Sequence, residues 1–543
     1  MNLDRKSLLV CGDVITMDPA APRVEAVAVD AGRVVVTGSR ADAAAALPAG
    51  TPTLELPGTV VPGLIDSHVH MLWGGRASER LEVTGSASVA EVLRLVREFA
   101  AANPDSPWIA GTAGIDPEGL EEGRFPTAAE LDDATGGRPL FLDRRSHDAL
   151  VNGAALAAAG IGADTPDPVG GVIERGPDGA PTGFLVERPA AEMVERQMPA
   201  DTLEDRLRWL DAIQPRFLRA GITTIVDPAL EPEEVVAYAT AAERGRLGLR
   251  VTGMPLGDGE VAPAARAAAF AAAGADLSDR DGERFRIGPW KLFLDGGGSL
   301  GTALLHEPWP GTEDYLGHQT TTTEALRTYA RWAAETESGL GVHCVGSAAI
   351  DLFIEACEEA AGVRPLKGLG FTIIHAYLWP SAEQMARLRD LDVLVATQSP
   401  LQWSFGPSLV RRFGAERVGH AHPMRSWLES GAIVGGGSDG TGFGVEPPVE
   451  PLWAFWQMRR RTIEGSDDPV GPDEAVDAEQ AVGLYTTGAA AVALAPDRGR
   501  LAPGTVADLA ALEVDPLRAT PEQCRDAGVL ATMVAGELVH DAR

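Results

Sequence analysis

Short apolar runs that end in Gly, Asp, His or Pro recur through the middle of the chain. There are eight: "GLIDSHVH", "GITTIVDP", "LRVTGMPL", "GPWKLFLDG", "LGVHCVG", "GFTIIHAYL", "DVLVATQSP" and "AIVGGGSDG". Helix-like stretches separate most of them, such as "AAIDLFIEACEEAAG" after the fifth and "SAEQMARLRDL" after the sixth. Strands alternating with helices predict an α/β architecture with parallel pairing. Eight such units predict a TIM (β/α)8 barrel, whose chemistry sits at the C-terminal strand ends. The ends of the chain read differently. The first sixty residues and the last forty are short strands broken by turns, with "DAG" between two alternating runs as a hairpin signal. They predict one small β domain assembled from both ends, residues 1–62 and 495–543, with separate end domains as the alternative. The barrel then takes 63–74 and 206–494, and 75–205 is too long for one crossover. That interval reads as an insertion after the first barrel strand, with its own strand-like pieces "PLFLDR", "GGVIERG" and "PTGFLVE", placed to cover the active site.

Composition narrows the class without changing the architecture. With 543 residues the chain holds two to four domains, and an apolar content of 45% is ordinary for a globular protein. A net charge of −32 argues against nucleic acid or an anionic membrane as partner. "MNLDRKSLLVCGD" lacks the apolar core of a signal peptide, and no run of apolar residues is long enough to span a bilayer. Cys11, Cys344, Cys357 and Cys524 are far apart, as reduced thiols are. The expectation is a soluble cytoplasmic protein with a small-molecule substrate. Its oligomeric state is open, a homodimer being a common solution for barrels with exposed helices.

The chemistry stands at the strand ends. His68 and His70 lie one residue apart, so on a strand both face one way. The fourth run carries Lys291 and then Asp295, the fifth His343, the sixth His375 and the eighth Asp439. Four imidazoles and a carboxylate at one rim suit a borderline cation, Zn²⁺ first, with Mn²⁺, Fe²⁺ or Co²⁺ as alternatives. A two-metal site needs a bridging anion. An ammonium at Lys291 would repel metals, whereas reaction with carbon dioxide makes a carbamate with two oxygens.

These residues carry a resemblance. "PGLIDSHVH", "GITTIVDP", "WKLFLDGG", "VHCVG", "IIHA", "GGGSDG" and "GRLAPGTVADLAALEVDP" resemble the amidohydrolase superfamily over nearly the whole chain. The branch is that of metal-dependent hydrolases resembling N-substituted formamide deformylases, the amidohydrolase 3 type. The resemblance implies a barrel with a composite β-sandwich. It implies His68 and His70 on one metal, His343 and His375 on a second, a carboxylated Lys291 bridging them, and Asp439 as ligand and base. Three features depart from that branch: the loop "DGGGSLGTALL" in place of a shorter one with an arginine, Ile374 where glutamate is common, and Ser347 where aspartate is common. None removes a ligand.

The reaction expected is hydrolysis of a non-peptide C–N bond, in an amide, an N-substituted formamide or a cyclic amide, by a metal-bridging hydroxide. Metal coordination brings the pKa of water from about 15.7 to about 7. At about 1.36 kcal/mol per unit, that is roughly 12 kcal/mol of stabilisation of hydroxide. Deamination, ester hydrolysis or a condensing cyclisation at the same site are the alternatives, and a silent scaffold is a weaker one. His147, in "DRRSHDALVN", resembles a branch motif near the substrate. Trp73, Tyr377 and Trp379 are further candidates for the substrate pocket. Cys344 should point away from the metals and pack as a small hydrophobe. His420 and His422 form a second H-x-H in a loop before the eighth run; without an acidic neighbour it is a weak metal candidate, and a branch-specific substrate role stays open for it.

Overall fold

The computed structural model describes residues 7–144, 148–168, 170–441 and 448–543, and is α/β throughout. It divides into two units. One holds Met1–Met71 and Ile213–Gly442 with the C-terminal stretch to Arg543; the other is built on Leu72–Ala212.

In the first unit, each of the eight apolar runs contributes a strand. Strands Leu64–Asp66, Ile222–Leu230, Arg250–Pro255 and Phe285–Ile287 form one parallel sheet. Strands Trp290–Phe293, Leu340–Gly346, Thr372–Leu378, Leu394–Gln398 and Val434–Gly437 form another. Every residue of Ile222–Leu230, Leu340–Gly346 and Thr372–Leu378 is buried, as expected of parallel strands covered on both faces. The strands pair as two sheets rather than one closed one. The chain passes from the first sheet to the second at Gly288 and Pro289, where Gly288 N still donates to Gly253 O (2.7 Å) and Trp290 N already donates to Gly339 O (3.2 Å). Proline has no N–H to offer a ladder, which suits the point of exchange. At the other edges Ser67 N donates to Gly436 O (3.1 Å) and Asp439 N to His68 O (2.8 Å).

The same unit carries a seven-stranded mixed sheet drawn from both ends of the chain. Its centre is Thr53–Pro62, parallel to Leu8–Ile15 on one side and antiparallel to Leu509–Leu512 on the other. The strands register as one sheet, where a sandwich has two. Alternation sends Val10, Val27 and Val29 to one apolar cluster and Leu9, Cys11, Ala26 and Ala28 to another, so both faces are covered.

The second unit has a six-stranded sheet ordered Val172–Arg175, Pro181–Val186, Asp148–Val151, Leu140–Arg144, Ile109–Thr112 and Leu81–Glu82. All three strand-like pieces of the insertion are in it. Helix Val89–Ala102 starts where Ser88 Oγ accepts from Glu91 N, and it buries Val89, Val92, Leu93, Val96 and Ala100 at three- and four-residue spacing. His147 lies outside the described residues. Among the described residues no helix is long and apolar enough to cross a membrane.

Candidate metal centre

The paired part of the first parallel strand stops at Asp66, so His68 and His70 lie just beyond it rather than on it. They are nevertheless held as if the strand went on. Val69 N donates to Val226 O (3.0 Å) on one side, and His70 N donates to Gly440 O (2.9 Å) on the other. A carboxylate fixes this junction. Asp66 Oδ1 accepts from His68 N (3.1 Å) and Ser438 N (3.1 Å), and Asp66 Oδ2 accepts from Ser438 Oγ (2.6 Å). Burial pushes the Asp66 carboxyl up to about 7, against the opposing pull of the Ser438 and His68 hydrogen bonds.

The clamp brings the predicted ligands together. His68 Nε2 lies 3.1 Å and His70 Nε2 3.3 Å from Asp439 Oδ1. A ligand atom from each of the three falls within 4.8 Å of the others. Ligands at bonds of about 2.0–2.1 Å in a tetrahedron are roughly 3.3 Å apart, so these separations fit a Zn²⁺-sized ion. Burial pushes the His68 imidazole well below its ordinary range and keeps it neutral, the form that binds metals. Burial alone would raise Asp439, but His375 and the hydrogen bonds from His68 and His70 prevail and hold it well below the carboxylate range.

His343 and His375 meet edge to face with ring centres 4.6 Å apart, and His375 lies 5.1 Å from His68. His375 reaches this place through an irregularity. The register with the neighbouring strand shifts after Cys344↔His375, and His375 (φ 75°) and Ala376 (φ 43°) are left-handed. Such a bulge re-aims a side chain that simple alternation would leave on the pleat. His375 Nδ1 lies 2.7 Å from Gln398 Oε1. An imidazole donating there keeps Nε2 as its lone-pair nitrogen, the usual support for a metal-binding histidine. Burial pushes His375 down to about 4. His343 Nε2 is 3.4 Å from Gly296 O.

Lys291 is fully buried, and its Nζ makes no hydrogen bond among the described residues. It lies 4.6 Å from the centre of the Phe293 ring, and burial pushes it down to about 7 despite the attraction of Asp439. Asp295 serves the backbone: its carboxylate accepts from Val345 N (2.9 Å), Gly346 N (2.8 Å) and Leu304 N (3.0 Å). Cys344 is a buried free thiol that burial pushes well up, so it packs as a hydrophobe.

The substrate candidates separate. Tyr377 stands beside the cluster, 6.5 Å from His375 between ring centres. The recorded contacts of Trp379 are packing contacts: its indole N–H donates to Arg417 O (2.9 Å), Arg417 lies 4.3 Å over its ring, and Phe413 meets its edge. Trp73 is half-buried in helix Met71–Ser78 of the other unit. The second H-x-H splits, with His420 exposed and His422 buried. Asp66, Ser438 and Gln398 escaped the sequence reading. The signal for Asp66 was there: a carboxylate closing an otherwise apolar run two residues before His68.

Residues 58–540 match the model of the amidohydrolase family. The chain belongs to that family, enzymes that hydrolyse carbon–nitrogen bonds. It is similar to the N-substituted formamide deformylase of Arthrobacter pascens, 28% identical over 99% of this chain and 98% of that protein. Among solved structures, an uncharacterized metal-dependent hydrolase of Pyrococcus horikoshii superposes with a TM-score of 0.77 at 23% identity, over 95% of this chain and 99% of its own. One from Pyrococcus furiosus superposes with a TM-score of 0.73 at 25% identity, over 94% and 100%.

Proposed function

We propose that the chain is a metal-dependent hydrolase of a non-peptide C–N bond, acting on an amide and most naturally on an N-substituted formamide. The observation that carries this reading is the convergence of His68 Nε2, His70 Nε2 and Asp439 Oδ1 at 3.1 and 3.3 Å. The relatives support it, one named for deformylating formamides and one titled metal-dependent. The two parallel sheets, of four and five strands, are then halves of one eight-stranded barrel in which Phe285–Ile287 and Trp290–Phe293 count as a single strand broken at Gly288–Pro289, and the other seam is at Ser67–Gly436, with the ligands at its C-terminal rim. The sheet from both termini and the second unit are the accessory domains.

His68, His70 and Asp439 would hold one divalent ion, Zn²⁺ by their donor set. His343 and His375 would hold a second, with Lys291 between the two sites. When bound, such ions lower the pKa of water and polarise a carbonyl oxygen. The chain prepares the rest. A Lys291 amine near 7 is in good part uncharged at neutral pH, and the uncharged amine is the form that takes up carbon dioxide as a carbamate. Its lone Nζ and the absence of any hydrogen bond to it suit a group completed by that reaction. Asp439, ionised and half-buried, can accept a proton and hand it to the leaving nitrogen. Gln398 keeps His375 in one tautomer while this happens.

The test is metal content by mass spectrometry on protein purified without added metal, followed by hydrolysis of N-formyl, N-acyl and cyclic amide panels. Two metals per chain, carbamate on Lys291 by carbon-13 NMR, and formate release are expected. Protein that neither holds nor accepts metal would refute the reading.

A further inference from the structure

His422 has no place in the scheme above, and its surroundings are unusual. The residue is 1% exposed, yet neither Nδ1 nor Nε2 has a hydrogen-bond partner among the described residues. Buried polar groups are normally paired, and leaving one unpaired is costly. The ring is not loose. It lies flat on Tyr377, with centres 4.2 Å apart and planes 3° from parallel.

The backbone is held as firmly. His422 N donates to Tyr377 O (2.9 Å), and the buried Arg461 guanidinium donates to His422 O (2.8 Å) and Ala421 O (2.8 Å). These contacts keep His422 at φ 49°, a left-handed conformation that a histidine rarely adopts. A packing histidine would gain nothing from being pinned in this way with both nitrogens unused. Tyr377 connects it to the metal centre: its ring faces His375, and its hydroxyl oxygen accepts from Gly298 N (3.1 Å). The His422 ring is thus stacked on a neighbour of His375.

We infer that the His422 imidazole is a substrate-binding group that donates one hydrogen bond to the carbonyl oxygen of an uncharged amide. This rests on the amide-hydrolase reading above. A neutral imidazole offers one N–H and one lone pair. Burial holds His422 well below its ordinary range and so keeps it in that form. The Arg461 guanidinium is engaged by the His422 and Ala421 carbonyls, so the hydrogen bond on offer here is that of a neutral imidazole, which suits an uncharged carbonyl oxygen.

The test uses zinc-loaded full-length enzyme with formanilide as probe, binding measured by calorimetry, and metal content and thermal unfolding measured on the same samples. His422→Phe keeps a ring on Tyr377 and removes the donor, and His422→Asn keeps a donor. The Phe variant should hold its metal and bind formanilide about tenfold or more weakly; loss of two unpaired buried nitrogens stabilises it while a phenylalanine at φ 49° adds strain, so its unfolding temperature should stay within about 4 °C of the wild type. The Asn variant should recover part of the affinity. Wild-type affinity in the Phe variant would overturn this inference alone. A drop in unfolding temperature of more than about 4 °C would mark a structural role and overturn it as well. A wild-type enzyme that does not bind formanilide would overturn both this inference and the amide reading beneath it.

Discussion

Asp439 combines two properties that one substitution can separate. It sits in left-handed backbone (φ 56°), which Asp and Asn tolerate better than most residues. Asp439→Asn therefore keeps the backbone and an oxygen for the metal while losing the proton acceptor. Metal content should stay near that of the wild type, and turnover should fall by about 10²-fold or more. Near-normal turnover would remove Asp439 as base. Asp66 acts one step away. Removing its carboxylate in Asp66→Ala leaves the buried His68 N and Ser438 N and Oγ without that acceptor. Urea unfolding of metal-free protein should show a loss of about 2–3 kcal/mol or more, because buried donors lose their partner. Loading with metal should weaken too, since the clamp sets His68 against Asp439. The ligand residues themselves were legible in the sequence because imidazoles and carboxylates at strand ends are chemically conspicuous. Their supports were less so: Gln398 and Ser438 are ordinary polar residues until the fold shows what they touch.

The eight apolar runs named the parallel strands correctly because burial on both faces leaves continuous hydrophobic sequence. Period-two reasoning then failed at two places that matter. His68 and His70 lie past the end of the paired strand, and His375 sits in a register shift. No periodicity reports a bulge, since it depends on the partner strand. Close approach between strand ends also explains Gly437, the last residue of Val434–Gly437. A Cβ on Gly437 would come within 2.7 Å of His68 N and 2.8 Å of Asp66 Oδ1. Both neighbours are fixed, one by the chain and one by its hydrogen bonds, so neither can yield cheaply. Gly437→Ala should cost about 1–3 kcal/mol in urea unfolding, as overpacking does. It should also lower metal occupancy at limiting zinc. Unchanged stability together with unchanged occupancy would show that the junction is softer than its geometry implies.

The two-ended sheet must be fastened to the parallel core. In the described structure a buried ion pair contributes, joining residues 258 positions apart in the chain. Arg250, at the start of strand Arg250–Pro255, donates from Nε to Asp508 Oδ2 (2.8 Å) and from Nη2 to Asp508 Oδ1 (3.2 Å). Ala535 N adds a bond to Asp508 Oδ1 (2.7 Å), and Gly63 N bonds Asp508 O (2.8 Å). No local pattern points to such a partner, which is why the sequence showed both ends as strands but not what holds them. Burial alone would raise the Asp508 carboxyl, yet Arg250 and the Ala535 N–H outweigh it and leave the group below its ordinary range. A carboxyl depressed in the folded state adds stability above its unfolded pKa of about 3.9, and that share is lost as pH falls through the lower folded value. Asp508→Asn leaves a buried guanidinium with only the exposed Glu283, 3.6 Å away, as counter-charge and should cost about 3 kcal/mol near pH 7. The gap between wild type and variant, measured by urea unfolding of metal-free protein, should narrow steadily below about pH 4 as the wild type loses the same charge. A gap that stays constant from pH 7 down to the acid transition would mean that the pair contributes shape alone, with no net electrostatic share in holding the terminal sheet to the core.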